Sequence, residues 1–179
     1  MRHPIGWSLA ALVVFAGTAS AQANTAASQA PSALELGVDA NMTIGLGDNS
    51  YTNFNLPSGA VRVGFPMSNR VSIEPRGRLS VTSGDGDTFT TYNLAVGALY
   101  HLNAAARMRE GIYLRPALGV SGYSGDDSDS NLFGSIGVGL KRPILAQLGS
   151  RFEVGFIRNF GNGGSNGLEL SAGLSWFTK

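Results

Sequence analysis

The chain has 179 residues, with 13 Lys and Arg against 12 Asp and Glu, and it has no cysteine. This near-neutral balance gives no global attraction to nucleic acid, and the missing cysteines exclude disulfides, thiolate chemistry and a lipid-modified N-terminal Cys. The length suits one domain once a targeting segment is set aside.

Residues 1–21 have the parts of a secretory signal peptide in order: Arg2, the apolar run "WSLAALVVFAG" and small residues ending at Ala21. Cleavage is expected after Ala21, with Ala23 as the alternative. The apolar run is too short to span a bilayer as a helix. Residues 22–33, "QANTAASQAPSA", read as a flexible leader. Beyond them no run approaches the roughly 18 apolar residues of a membrane helix, so any membrane embedding must come from strands.

From residue 34 the chain alternates. In "LELGVDANMTIGL" (34–46) the even positions are apolar, and the odd ones are polar or glycine. The same period of two recurs in "AVRVGF" (60–65), "RVSIEPRGRLSVT" (70–82) and "TYNLAVGALYHL" (91–102). It continues in "GIYLRPALGVSGY" (111–123), "LFGSIGVGLK" (132–141), "RFEVGF" (151–156) and "LELSAGLSW" (168–176). Alternation over such lengths predicts strands, and eight of them joined by turn-rich gaps fit an antiparallel up-and-down barrel. "NAAARMRE" (103–110) is the one stretch that suits a short helical turn. Pro75 and Pro116 fall mid-strand, where each removes a ladder donor; a bulge is one way a strand accommodates this, but the sequence does not establish one.

The apolar face points outward on three grounds. The polar phase carries Glu35, Asp39, Arg62, Glu74, Arg76, Arg78, Arg115, Lys141, Arg151, Glu153 and Glu169, whereas the apolar phase of the strand cores carries no charge. A hydrocarbon medium penalises Arg or Lys at its midplane by about 2–4 kcal/mol, and a soluble sandwich shows no such strictness. Glycine concentrates in the polar phase, as a narrow interior filled by long side chains requires. Aromatics in the apolar phase sort towards the two ends: Phe65, Tyr100, Phe152 and Trp176 at one, Tyr92 and Phe160 at the other, which is a girdle pattern. The gaps alternate too. Four are acidic or glycine-rich, holding Asp48, Asp85, Asp87, Asp126, Asp127 and Asp129. The other three carry Arg70, Arg107, Arg109 and Arg142. The competing reading is a soluble periplasmic barrel or sandwich with the apolar face inward.

Taken together, the signal peptide, the Glu74-Pro75-Arg76 strand, "LAVGALYHL", "YLRPALGVSGY" and "GLELSAGLSWF" give a chain that resembles the small outer-membrane β-barrel family of Gram-negative bacteria, the group related to the OmpA and OmpX transmembrane domains. The resemblance covers residues 34–179 and implies an exported monomer in the outer membrane. Its implied partners are outer-membrane lipid and lipopolysaccharide, and the barrel-assembly machinery during biogenesis; nucleic acid is not among them. Family chains usually stop at an aromatic residue, whereas here Thr178 and Lys179 follow Phe177, and Trp176 holds the outward phase.

Chemistry is sparse. Lipid A deacylases of this size class use a His-x-Ser pair, but here the sequence reads His101-Leu102-Asn103, so no catalytic activity is expected. No cofactor or metal is expected either. "DDSDSN" offers carboxylates for Ca²⁺ but lacks the glycine and terminal Glu of an EF-hand loop. The charges of the polar phase are expected to neutralise one another inside the barrel, since buried charges need partners; a narrow conducting pore is the alternative.

Overall fold

In β1 (Glu35–Leu46) burial follows the alternation of the sequence: Glu35, Gly37, Asp39 and Asn41 are buried while Leu36 and Val38 are exposed. A computed structural model describes residues 34–46, 52–84, 87–102, 109–124, 128–161 and 164–178. The other strands are β2 (Thr52–Pro66), β3 (Val71–Gly84), β4 (Asp87–His101), β5 (Gly111–Ser124), β6 (Ser128–Pro143), β7 (Leu148–Asn159) and β8 (Asn166–Phe177). Each pairs antiparallel with its chain neighbours and β8 pairs with β1, so the eight strands close into a barrel. Closure gives every strand a partner on both sides, which is why a barrel can stand in a medium that offers backbone groups no hydrogen bonds. The expected signal peptide and leader, the helical turn at 103–108, and Asp48, Asp85, Asp126 and Asp127 lie outside the described residues. No helix among the described residues is long and apolar enough to cross a membrane.

The strands run longer than the alternation of the sequence suggested. β2 starts at Thr52, the β3–β4 ladder reaches Gly84 opposite Asp87, and β6 starts at Ser128. These extensions are Thr-, Ser- and Asp-rich. Backbone pairing continues there where neither face has to match an apolar medium, so no hydropathy signal marks it.

Neither Pro75 nor Pro116 carries a bulge. β3 and β4 stay in one register through Pro75, as do β5 and β6 through Pro116. Each proline instead interrupts the ladder on its other side. β2 and β3 pair at Val61–Arg62 and again at Phe65–Pro66, skipping the positions opposite Pro75. β4 and β5 skip Ala98 and Leu99, opposite Pro116, and resume in unchanged register. A missing N–H therefore costs a local gap rather than an inserted residue. The bulge lies elsewhere: Asp39 faces Ala60 but Asn41 faces Asn55, so β2 carries three extra residues within 56–59. Beyond Val61–Gly77 the β2–β3 ladder does not continue among the described residues.

At the end of the barrel that carries both termini, the turns are tight. Met67 and Ser68 donate to the Val71 carbonyl at 2.9 and 3.1 Å, and Ile144 and Leu145 donate to that of Leu148 at 2.8 and 2.9 Å. Gly111 opens β5 at φ 103°, a conformation that L side chains rarely adopt. The two end strands are tied together where Leu34 N donates to Thr178 Oγ1 and Thr178 N donates to the Leu34 carbonyl, both at 2.9 Å.

Candidate functional site: the ionic interior

Outward and inward faces differ in kind. Leu118 is 71% exposed, Val96 56% and Val154 55%, while Arg62 and Glu74 are each 1% exposed. The alternative of an apolar face turned inward is thereby overturned: Leu36, Val96 and Leu174 face out, and Arg76 and Glu153 are enclosed. Phe65, Tyr100, Phe152, Phe160 and Trp176 are exposed on the outward face and Tyr92 is partly exposed there; Phe156 also joins this face.

Inside, the terminus-end half holds one connected set of charges. Arg62 on β2 is its first hub. Its Nη1 donates to Glu35 Oε1 at 2.5 Å, its Nε to Asp39 Oδ2 at 2.9 Å and its Nη2 to Ser175 Oγ at 2.7 Å. Lys141 Nζ donates to Glu35 Oε2, and Ser175 Oγ donates to Glu35 Oε1 at 2.7 Å, so that carboxylate is shared by β2, β6 and β8. Arg151 on β7 is the second hub. It donates to Glu74 Oε2 at 2.5 Å, to Glu153 Oε2 at 2.8 Å and to the Tyr113 hydroxyl at 2.5 Å. Tyr113 in turn donates to Glu153 Oε2 at 2.8 Å, and Arg115 Nη2 donates to Glu153 Oε1 at 2.5 Å. Glu74 joins the hubs, because Arg62 Nη1 lies 3.7 Å from its Oε2.

Two properties follow. The cations Arg62, Arg115, Lys141 and Arg151 are matched in number by the anions Glu35, Asp39, Glu74 and Glu153, so the buried set is formally neutral. The Arg151–Glu74 bond also joins β7 to β3, strands that stand opposite each other in an eight-membered ring. This 2.5 Å bond thus spans the interior between opposite strands.

Glycines make this density possible. A Cβ on Gly37 would collide with the Arg62 guanidinium, and one on Gly139 with the Tyr113 ring. On Gly137 it would lie 2.8 Å from Glu153 Oε1. The far half of the interior is looser. Arg76 bonds Glu169 Oε1 at 3.0 Å and Asn41 Oδ1 at 2.7 Å, forming a separate pair. Arg78 is only partly buried and joins no ion pair among the described residues, so the structure does not bring it into either group.

The alternation put Tyr113 in the inward phase but did not single out Leu99, Phe133 or Phe177 as interior residues. Leu99 and Tyr113 are fully enclosed, and Phe133 and Phe177 nearly so. Tyr113 is the post around which the charges gather, with the Arg151 guanidinium 4.8 Å and Lys141 Nζ 5.7 Å from its ring centre. Each shares the parity of the neighbouring charged residues, which was the available signal. His101 is also enclosed: its Nδ1 lies 3.2 Å from the Arg70 carbonyl and its Nε2 has no partner among the described residues. Among the described residues it has neither a serine partner nor an acidic one within hydrogen-bond reach. Asp129 is occupied by Ser130 N and Asn131 Nδ2, and no cluster of three metal-ligating side chains occurs among the described residues.

The same architecture occurs among solved structures. Neisserial surface protein A matches with a TM-score of 0.58 at 15% identity, over 80% of this chain and 96% of that one. In fold, the chain is a small barrel of the outer-membrane type. Ail, the attachment invasion locus protein of Yersinia pestis, aligns at 11% identity and a TM-score of 0.49, over 82% of this chain and 99% of that one. No protein-family model matches the sequence, and no curated protein matches it as a relative.

Proposed function

We propose that the protein is an integral outer-membrane barrel of a Gram-negative bacterium, exported through a cleaved signal peptide, whose interior is plugged by its own charge network. Its role is structural or one of surface interaction rather than catalytic. It acts as a monomer, contacts outer-membrane lipid and lipopolysaccharide, and engages the barrel-assembly machinery while folding. The observation that carries this reading is the Arg151–Glu74 bond between opposite strands, set within a neutral ionic cluster and surrounded by an apolar exterior. Buried charges that find partners and fill the lumen act as core rather than as a conduction path.

With the termini periplasmic, as the basic residues Arg70, Arg109 and Arg142 in and beside the turns of that end suggest, the dense half of the interior faces the periplasm and the Arg76–Glu169 half faces the cell exterior. The aromatic residues at the two ends then stand at the two interfaces. Purified protein in planar bilayers should give no stable single-channel steps. Large, persistent steps would defeat the plugged interior in favour of a narrow pore.

A further inference from the structure

The outward face carries just two charges among the described strand residues, and both are arginines. Arg142 lies near the terminus end of β6 and Arg158 near the far end of β7. Arg142 pairs with Ser150 of β7, so the two arginines are separated by the eight residue steps from Ser150 to Arg158. At about 3.4 Å per residue and a tilt of about 40°, that spans roughly 21 Å along the barrel axis. An arginine extends its head several Å further by snorkelling. The pair therefore brackets an apolar band of the thickness that outer-membrane barrels present, about 25 Å.

Arg158 is exposed, between the exposed Phe156 and Phe160 on the same face. One neighbouring position is Gly134, which has no side chain; a Cβ there would touch the Phe160 ring at 3.2 Å. The other is Asn166, whose Oδ1 accepts from Arg158 Nη1 at 3.2 Å, the guanidinium's one hydrogen bond among the described residues. Five N–H donors are available on an arginine, and four of these have no partner among the described residues. Phe156 and Ile136, one step nearer the middle of the barrel, and Leu118 opposite Gly134 supply an apolar surface for acyl chains, while Phe160 and Leu132 stand on the far-end side of the arginine. Such a guanidinium matches a phosphate monoester or diester, which it can grip with two parallel hydrogen bonds.

We infer that Arg158, with Asn166 and the Phe156–Phe160 surface, is a specific binding site for the phosphate of an outer-leaflet glycolipid. This rests on the outer-membrane reading and names the site of lipid contact within it. The interior network plays no part in it, and Arg142 is its counterpart in the opposite leaflet.

The test uses the full barrel refolded in zwitterionic detergent and a fluorescent diphosphoryl lipid A as probe, with heat-modifiable gel migration reporting folding. Arg158→Gln should migrate as wild type and bind the probe about tenfold more weakly, the effect of losing one charge-assisted contact. Arg158→Lys should recover part of the affinity, and Arg142→Gln should leave it within twofold of wild type. A fully dephosphorylated probe should bind wild type as weakly as the diphosphoryl probe binds Arg158→Gln. Equal losses in Arg142→Gln, unchanged affinity in Arg158→Gln, or displacement of the probe by millimolar inorganic phosphate would each overturn the site. If the wild type instead failed to insert into phosphatidylcholine vesicles, the outer-membrane reading itself would fail, a result separate from these.

Discussion

Arg151→Met removes the hub that crosses the barrel and keeps most of the side-chain length. Glu153 would retain Arg115 at 2.5 Å and Tyr113 at 2.8 Å, so it is not orphaned. Glu74 would be. Its Oε1 already has no partner among the described residues, and its Oε2 would keep only Arg62 at 3.7 Å. Leaving one buried charge without its partner costs about 3–5 kcal/mol, or roughly two to four powers of ten in the folding equilibrium. The double substitution Arg151→Met with Glu74→Gln removes one cation and one anion, which restores neutrality. It should recover at least half of the loss. Urea titration of folding into phosphatidylcholine vesicles, followed by gel migration and by the fluorescence of Trp176, measures both. A single-variant cost below about 1 kcal/mol would refute the idea that the network is an energetically coupled core. So would a double variant whose cost is the sum of its parts.

Val96→Arg places a charge midway along the outward face and should cost about 2–4 kcal/mol in the same vesicle titration; a near-neutral result would contradict a hydrocarbon surroundings. Gly139→Val must expel the Tyr113 ring from the space it fills and with it two hydrogen bonds, so a loss of about 3 kcal/mol or failure to fold is expected. Gly77→Ala, where an added Cβ meets only Leu94 Cδ2 at 3.2 Å, should fold normally in gel-shift assays. Amide exchange should be faster along the β2–β3 seam beyond Gly77 than along the continuous β5–β6 ladder, since backbone groups without ladder partners exchange readily. Equal protection of the two seams would show that the β2–β3 ladder closes in solution.

How far the sequence reached can be traced residue by residue. The parity of Leu36, Val96 and Leu118 against Glu35, Arg76 and Glu153 foretold which face is outward, because a strand's side chains alternate strictly and a hydrocarbon medium tolerates no charge. The same parity placed Gly37 and Gly139 inside, where Arg62 and Tyr113 now occupy the space beside them. What it did not reveal was partnership. That Arg151 meets Glu74, 77 positions earlier, depends on the registers of all the intervening ladders, and neither residue's neighbours in the chain encode that sum. The bulge in β2 was equally hidden, because "NLPSGA" reads as a loop end and a bulge alike, while Pro75 and Pro116 drew attention to places where the register holds. Leu99, Phe133 and Phe177 were overlooked because a search for polar inward residues passes over apolar ones, although a narrow lumen has to be filled by whatever packs there.

The most direct test of the account is the accessibility of spin labels attached through cysteines introduced one at a time at Val96, Leu118 and Val154, in a chain that has no cysteine of its own. In phosphatidylcholine vesicles all three labels should be open to dissolved oxygen and shielded from a water-soluble nickel chelate. Labels that are immobilised and closed to both reagents would place these side chains in a protein core and contradict the account.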